Sequence, residues 1–241
     1  MTWGRVLALH IRQTENVGDR ASSPATYLDF GGRVKTMDVG RYLKNPPTWV
    51  PDLLVVGGGV WRHDYQAISK RPELAGTAKV AWGVGVSRQN LSRSPLDAHV
   101  KKSEGWDMYA HRDVGLEGRF LPCASCLHPA FDDPPAPSHE VVYFAHHWLA
   151  PLPACRGIGP YRTNRSDCIE EVVDFLASGE VIVTSSYHGA YWGRLLGRKV
   201  AMIPRASKFF HLPPAPVSLA EHRELHHRYR AEVRALMEAD V

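Results

Sequence analysis

The chain has 241 residues, 44% of them hydrophobic and 22% charged, with a formal net charge of +4. That length fits one large domain or two of about 100–140 residues, and the composition supplies a full core, which excludes a disordered chain. No apolar run approaches the roughly 20 residues of a bilayer span, the 29 Lys and Arg are scattered rather than blocked into a nucleic-acid surface, and four cysteines are too few for a disulfide framework. The expectation is a cytoplasmic globular protein that binds no nucleic acid and accommodates a small anionic ligand. "MTWGRVLALHIRQ" has too short an apolar part, and no small-residue cleavage site, to read as a signal peptide.

In chain order, short apolar runs alternate with helical ones, the pattern of an α/β architecture. "RVLALHI" (Arg5 to Ile11) predicts a first strand, followed by the polar turn "RQTENVGDR" and a helix from about Ser23. "DLLVVGGG" predicts a strand over Asp52 to Val56 that stops on three glycines, "KVAWGVG" another that stops at Gly83 and Gly85, and "WDMYAHRD" a third ending at His111, Arg112 and Asp113. Continuous rather than alternating apolar runs suit a parallel sheet covered on both faces. "DDPPAPS" (Asp132 to Ser138) can continue neither sheet nor helix and reads as a linker. It separates two Rossmann-like domains, residues 1–134 and 135–241, with a cleft between them.

The second half opens with "EVVYFAHHW". A helix is expected from Asp167, with Glu170 completing a capping-box-like start and Ile169, Val172, Val173 and Leu176 on one face. A strand over Val181–Thr184, a helix from His188 and a strand over Lys199–Ile203 follow. A last helix, about Ala220 to Glu238, carries Leu225, Tyr229, Val233, Leu236 and Met237 as a stripe expected to pack back on the body of the protein, the alternative being a partner surface.

In such sheets ligands collect at the carboxyl ends of strands. "TSSYHGA" places the amides of Tyr187 to Ala190 at a helix N-terminus, the arrangement of an anion site. There Ser185 and Ser186 add hydroxyls, Gly189 allows close approach and His188 faces the anion; the alternative is a serine cap beside a surface histidine. Asn16, Gly18 and Asp19 form a turn after the first strand, and a carboxylate there is placed for a general base as well as for a turn. Gly58 and Gly59 permit positive φ and close backbone approach, to a ligand or a facing helix, but lack dinucleotide or P-loop spacing. Arg112, Arg162, Arg165 and Lys208 lie at strand ends, where cations can grip phosphate or carboxylate. Cys123 and Cys126 have metal-like spacing and His128 lies near, but no second pair follows, since Cys155 and Cys168 sit alone; buried, inert thiols are expected and no metal.

Taken together, "NVGD", "DLLVVGGG", "HRD…HPAFD" and "TSSYHGAYWGRLLGRKVAMIP" with the following "SKF" resemble the polysaccharide pyruvyl transferase family, in an ordered set from Asn16 to Lys208. The resemblance implies a glycosyltransferase-B-like pair of Rossmann-like domains. It also implies transfer of a pyruvyl group from phosphoenolpyruvate to a saccharide acceptor as a ketal, with no cofactor and with a peripheral contact to lipid-linked glycan. Family members use the His–Gly element and nearby basic residues for the anionic donor; this maps onto His188 and Gly189, and onto Arg162 and Lys208. On this reading His188 is the acid and Asp19 the base. Ser186 and Tyr187 stand where many relatives carry an arginine, so either the missing cation comes from elsewhere or the donor differs. Two other classes fit the same cleft: a glycosyltransferase using a nucleotide-sugar, and a catalytically silent glycan-binding protein.

Overall fold

A computed structural model describes residues 3–59, 63–87, 91–149 and 157–239. Cys155 lies outside them. In chain order the elements are β1 (Trp3–His10), α1 (Val17–Arg20), β2 (Gly32–Asp38), α2 (Val39–Lys44), β3 (Leu53–Gly57), α3 (His63–Ser69), β4 (Ala78–Val84), β5 (Met108–His111) and β6 (Arg119–Phe120). The second series is β7 (His139–Ala145), β8 (Tyr161–Thr163), α4 (Ile169–Ala177), β9 (Gly179–Thr184), α5 (Tyr187–Leu195), β10 (Lys199–Met202) and α6 (Leu219–Ala239).

The strands form two wholly parallel sheets, ordered β2-β1-β3-β4-β5-β6 and β10-β9-β7-β8. Counted from its own first strand, the second sheet runs 2-1-3-4, the order in which the first sheet begins. Both therefore reverse strand order beside their opening strand, between β1 and β3 and between β7 and β9. Such a switch point leaves a crevice at the carboxyl ends of the strands. The architecture is α/β and compatible with a Rossmann-like fold.

The central strands are apolar because both faces are covered: Leu53 to Val56 are all fully buried. One face of the first sheet packs Leu7, Leu9, Leu54 and Val56 against Tyr42, Tyr65 and Ile68. The other packs Val6, Val55, Val80 and Trp82 against Tyr229 and Val233 of α6. The C-terminal helix thus reaches back onto the N-terminal sheet. Its Tyr229 hydroxyl donates to the Ala81 carbonyl at 3.0 Å, and His226 Nδ1 accepts from Trp82 Nε1 at 2.8 Å. In the other direction, Val17, Ala21, Cys123, Cys126 and Phe131 join the core of the second sheet. Backbone bonds from Val17 N–H to the Asn164 carbonyl (3.0 Å) and from Ser166 N–H to the Glu15 carbonyl (3.1 Å) tie the two series directly.

Several expectations change. The helix expected from Ser23 is a single 3-10 turn over Pro24–Thr26, and the true helix precedes it as α1, capped by Asn16. The strand β2 and helix α2 were not expected at all. The capping box at Asp167 does not form: α4 starts one residue later, at a Cys168 cap without a side-chain bond, and Asp167 instead lies 3.7 Å from Arg20. Glycines 83 and 85 are spacers. A β-carbon on Gly83 would lie 2.5 Å from the Pro122 carbonyl, and one on Gly85 would lie 2.7 Å from Arg112 Nε.

Candidate functional site

The carboxyl ends of six strands converge on a cleft of about 370 Å³. The loop after β1 contributes Gln13, Asn16 and Asp19; β5 is followed by Arg112, β7 by His146, His147 and Trp148, β9 by Ser186, Tyr187 and His188, and β10 by Lys208. Asp38, at the end of β2, lines the outer edge.

Arg112 is the most constrained of these groups. Its side chain is 2% exposed, and neither Nε nor Nη1 has a hydrogen-bond partner among the described residues. Its guanidinium lies 4.1 Å from the centre of the Tyr187 ring, and Lys208 Nζ lies 5.9 Å from the same centre. Two cations thus lie within 6 Å of the centre of one aromatic ring. A buried guanidinium with unused donors is costly unless something anionic completes it. Asp113, its neighbour, spends Oδ2 elsewhere, accepting from Val86 N–H at 2.6 Å and meeting His99 Nε2 at 2.9 Å, while its buried Oδ1 has no hydrogen-bond partner among the described residues.

Burial and the adjacent positive charge depress the basic groups around Arg112. Burial first, then Arg112, lowers Lys208 to about 8. Burial, followed by Lys208 and His147, lowers His146 to about 4. Burial, then Arg112, Lys208 and His146, pushes His188 well below its ordinary value. This lowering favours the neutral imidazole in the absence of a bound anion. Its ring is 4% exposed and wedged: Nε2 lies 3.6 Å from Cys123 Sγ, and a β-carbon on Gly18 would lie 1.9 Å from Nδ1. Gly18 is the floor on which the imidazole rests.

The amides expected to be open at the start of α5 are partly taken. Ser186 caps the helix, its Oγ accepting from Gly189 N–H at 3.3 Å, while Ala190 N–H reaches the Ser186 carbonyl at 3.0 Å. Gly189 does not serve ligand approach: a β-carbon there would strike Phe144 and Thr184 at 2.5 Å, so it seats α5 on the sheet. Ser185 Oγ accepts from His146 N–H at 3.1 Å, joining the loops after β7 and β9 rather than facing the cleft.

On the opposite wall Asn16 Oδ1 accepts from Gly18 N–H, and its Nδ2 donates to Asp19 Oδ2 at 3.0 Å, aiming that carboxylate into the cleft. Gly58 and Gly59 have positive φ and serve as packing: a β-carbon on Gly58 would lie 2.0 Å from Ser22 Oγ, and one on Gly59 would lie 3.0 Å from Ile11 and 3.6 Å from Asp19 Oδ1. Arg162 is not brought to the site; it pairs with Glu171 on α4, donating to its carboxylate and its carbonyl. Arg165 pairs with Glu15.

Cys123 and Cys126 are buried free thiols, and burial first drives Cys126 up to about 12. No group of three or more His, Cys, Asp or Glu among the described residues is placed to hold a metal, and no described helix is long and apolar enough to cross a membrane. The loop His146–Trp148 was missed because the apolar run before it drew attention to the strand. "AHHW" directly after that run was the available signal. Trp148 is 81% exposed at the rim.

No protein-family model and no curated protein matches the chain. The functional reading therefore rests on the cleft itself.

Proposed function

We propose that the protein is a phosphoenolpyruvate-dependent pyruvyl transferase that forms a ketal on a saccharide, with a glycosyltransferase-B-like pairing of its two sheets and a cytoplasmic site of action. The observation that carries this reading is Arg112, a buried cleft residue partnerless at Nε and Nη1 among the described residues, with Lys208 near the same Tyr187 ring. Phosphoenolpyruvate has a carboxylate and a phosphate, and two cations near one aromatic ring suit such a doubly anionic molecule.

The chemistry then follows from charge. A proton must be added to the methylene carbon, which leaves a cation-like centre at the adjacent carbon. A sugar hydroxyl attacks that centre and gives up its proton, the C–O bond to phosphate breaks, and a second hydroxyl closes the ketal. Two hydroxyl protons are released; one balances the new methyl group and the other leaves with phosphate. Asp19, held by Asn16, is the base for the hydroxyl. His188 is neutral without ligand, so its acid role requires the bound anion to raise its pKa and load it with a proton. Arg112 and Lys208 stabilise the departing phosphate.

The test combines phosphate release, followed by 31P NMR with a panel of saccharide acceptors, and thermal-shift titration with phosphoenolpyruvate and UDP-sugars. The expected result is a midpoint shift with phosphoenolpyruvate, lost in Arg112→Met and reduced in His188→Ala. A shift with a UDP-sugar that depends on Arg112, with none for phosphoenolpyruvate, would replace pyruvyl transfer by glycosyl transfer. Binding of glycans without any turnover would favour the silent binding protein.

A further inference from the structure

Beside the cleft lies a larger groove of about 740 Å³. It runs from the loop after β1, along the edge strand β2, to the segment Asn45–Trp49 that follows α2. Gln13 and Asp38 line both spaces, so the groove and the cleft are adjacent.

The groove wall carries one sign of charge. Arg12, Lys35 and Arg41 project cations into it, and its one lining carboxylate, Asp38, is already engaged. Asp38 Oδ2 accepts from the Arg12 and Gln13 amides at 2.8 and 2.9 Å, and Oδ1 from the Gly40 and Arg41 amides at 2.9 and 3.2 Å. Four amide dipoles therefore meet that carboxylate, while the three cations are exposed along the groove, Arg12 with one further bond from Nη1 to the Thr36 carbonyl at 3.3 Å. At its far end stands Trp49, half-buried, with Arg5 and Lys35 each 5.8 Å from its ring centre. The indole lines the groove and gives it an aromatic end. A wall of cations ending on a flat ring fits a molecule that has phosphate at one end and a planar or apolar ring face at the other.

We infer that this groove is a second ligand site, which binds an organic phosphoester through Arg12, Lys35 and Arg41 and stacks its ring on Trp49. Its position next to the cleft makes it the site of the acceptor, and that assignment rests on the pyruvyl-transfer reading; the binding site itself does not. The ring on Trp49 is either a nucleotide base or the apolar face of a sugar. Both share the phosphoester that the cations hold.

Isothermal titration with UDP, glucose 1-phosphate and inorganic pyrophosphate tests the inference on wild type, Trp49→Ala, Arg12→Ala/Arg41→Ala and His188→Ala. The substituted arginines are exposed, and circular dichroism checks that each variant folds. At least one organic phosphate should bind wild type, with affinity falling about 10-fold or more in the arginine double variant. Trp49→Ala should weaken it about 5-fold or more and leave pyrophosphate unchanged. His188→Ala should change neither. Binding of UDP alone would place a base on Trp49, and binding of both organic probes a ring of either kind.

Three results would overturn the inference. One is no binding of any probe up to about 10 mM. Another is binding lost with His188 but kept without the arginines, which means a single anion site in the cleft. The third is pyrophosphate bound as tightly as the organic probes and indifferent to Trp49, which leaves only a basic patch. Phosphoenolpyruvate titrated into the same variants separates the two proposals. Its binding should survive loss of the arginines, and its failure in wild type would sink pyruvyl transfer while leaving the groove intact.

Discussion

Gly18→Ala isolates the contact on which the cleft is built. The backbone at Gly18 is helical and free of positive φ, so alanine suits it, and in an open helix the change would stabilise by about 1 kcal/mol. Here the added β-carbon would lie 1.9 Å from His188 Nδ1 and 2.3 Å from its Cγ. Ordinary contact needs about 3.5 Å, so ring and helix must part by roughly 1.6 Å. The ring has no room to retreat, with Cys123 Sγ 3.6 Å from Nε2 and the Trp192 ring centre 5.3 Å away. Overpacking of this kind costs about 1–3 kcal/mol, and it outweighs the helix gain because relief would require α1 to leave the core of the second sheet.

The net expectation is a loss of about 2 kcal/mol, read by calorimetry as a midpoint fall of about 4–8 °C for a chain of this size. The deciding measurement is a double-mutant cycle with His188→Ala. Removing the imidazole leaves a space that the new methyl group fills, so the double variant should be more stable than the sum of the singles by about 1 kcal/mol or more. A Gly18→Ala protein more stable than wild type, or single effects that add within about 0.4 kcal/mol, would refute the wedge between α1 and α5.

Arg112→Met should leave the thermal midpoint unchanged or raise it, because Nε and Nη1 lose no hydrogen bonds in the free protein, while abolishing the ligand-induced shift; a marked fall in midpoint without ligand would show the guanidinium to be structural. Lys208 has a folded pKa near 8 against an ordinary 10.5, so the folded protein gives up this proton first and this group's contribution to stability rises with pH from about 8 to 10.5. Affinity for an anion runs the other way, falling by up to about 10-fold per pH unit above 8 in wild type but not in Lys208→Met, as calorimetric titration at several pH values would show. Arg162→Ala should alter neither turnover nor ligand binding, and should cost less than about 0.5 kcal/mol, since its pair with Glu171 is solvent-accessible; a loss of phosphoenolpyruvate affinity would return it to the site.

How much of this was legible in the residues depends on burial. Leu53 to Val56 and the run through Trp82 announced themselves because strands covered on both faces must be apolar throughout. β2 did not, because "GRVKTMD" is an edge strand whose Arg33, Val34 and Lys35 face solvent, leaving neither an apolar run nor a clean alternation. The long amphipathic stripe of α6 was readable almost to its ends, whereas α1 and α2 are too short to show a period. At the cleft, His188, Tyr187, Asp19, Asn16, Arg112 and Lys208 were found because strand ends locate ligands in parallel sheets. Arg162 obeyed the same rule and still misled, because which way a strand-end side chain turns depends on a partner, Glu171, that spacing does not reveal. The full lowering of His188 was equally hidden, since it depends first on burial and then on Arg112 and Lys208 arriving from β5 and β10.

The reach of α6 across both sheets also orders events during synthesis. Trp82 and Val80 are covered by Tyr229 and Val233, roughly 150 positions further along the chain. As the polypeptide leaves the ribosome, the first sheet can pair its strands early, yet one of its apolar faces, met by Leu28, Phe30, Leu121 and Ala124, is completed only when the last helix emerges. A nascent chain stopped at the proline-rich segment would present that face to chaperones, and the finished fold closes from its far end.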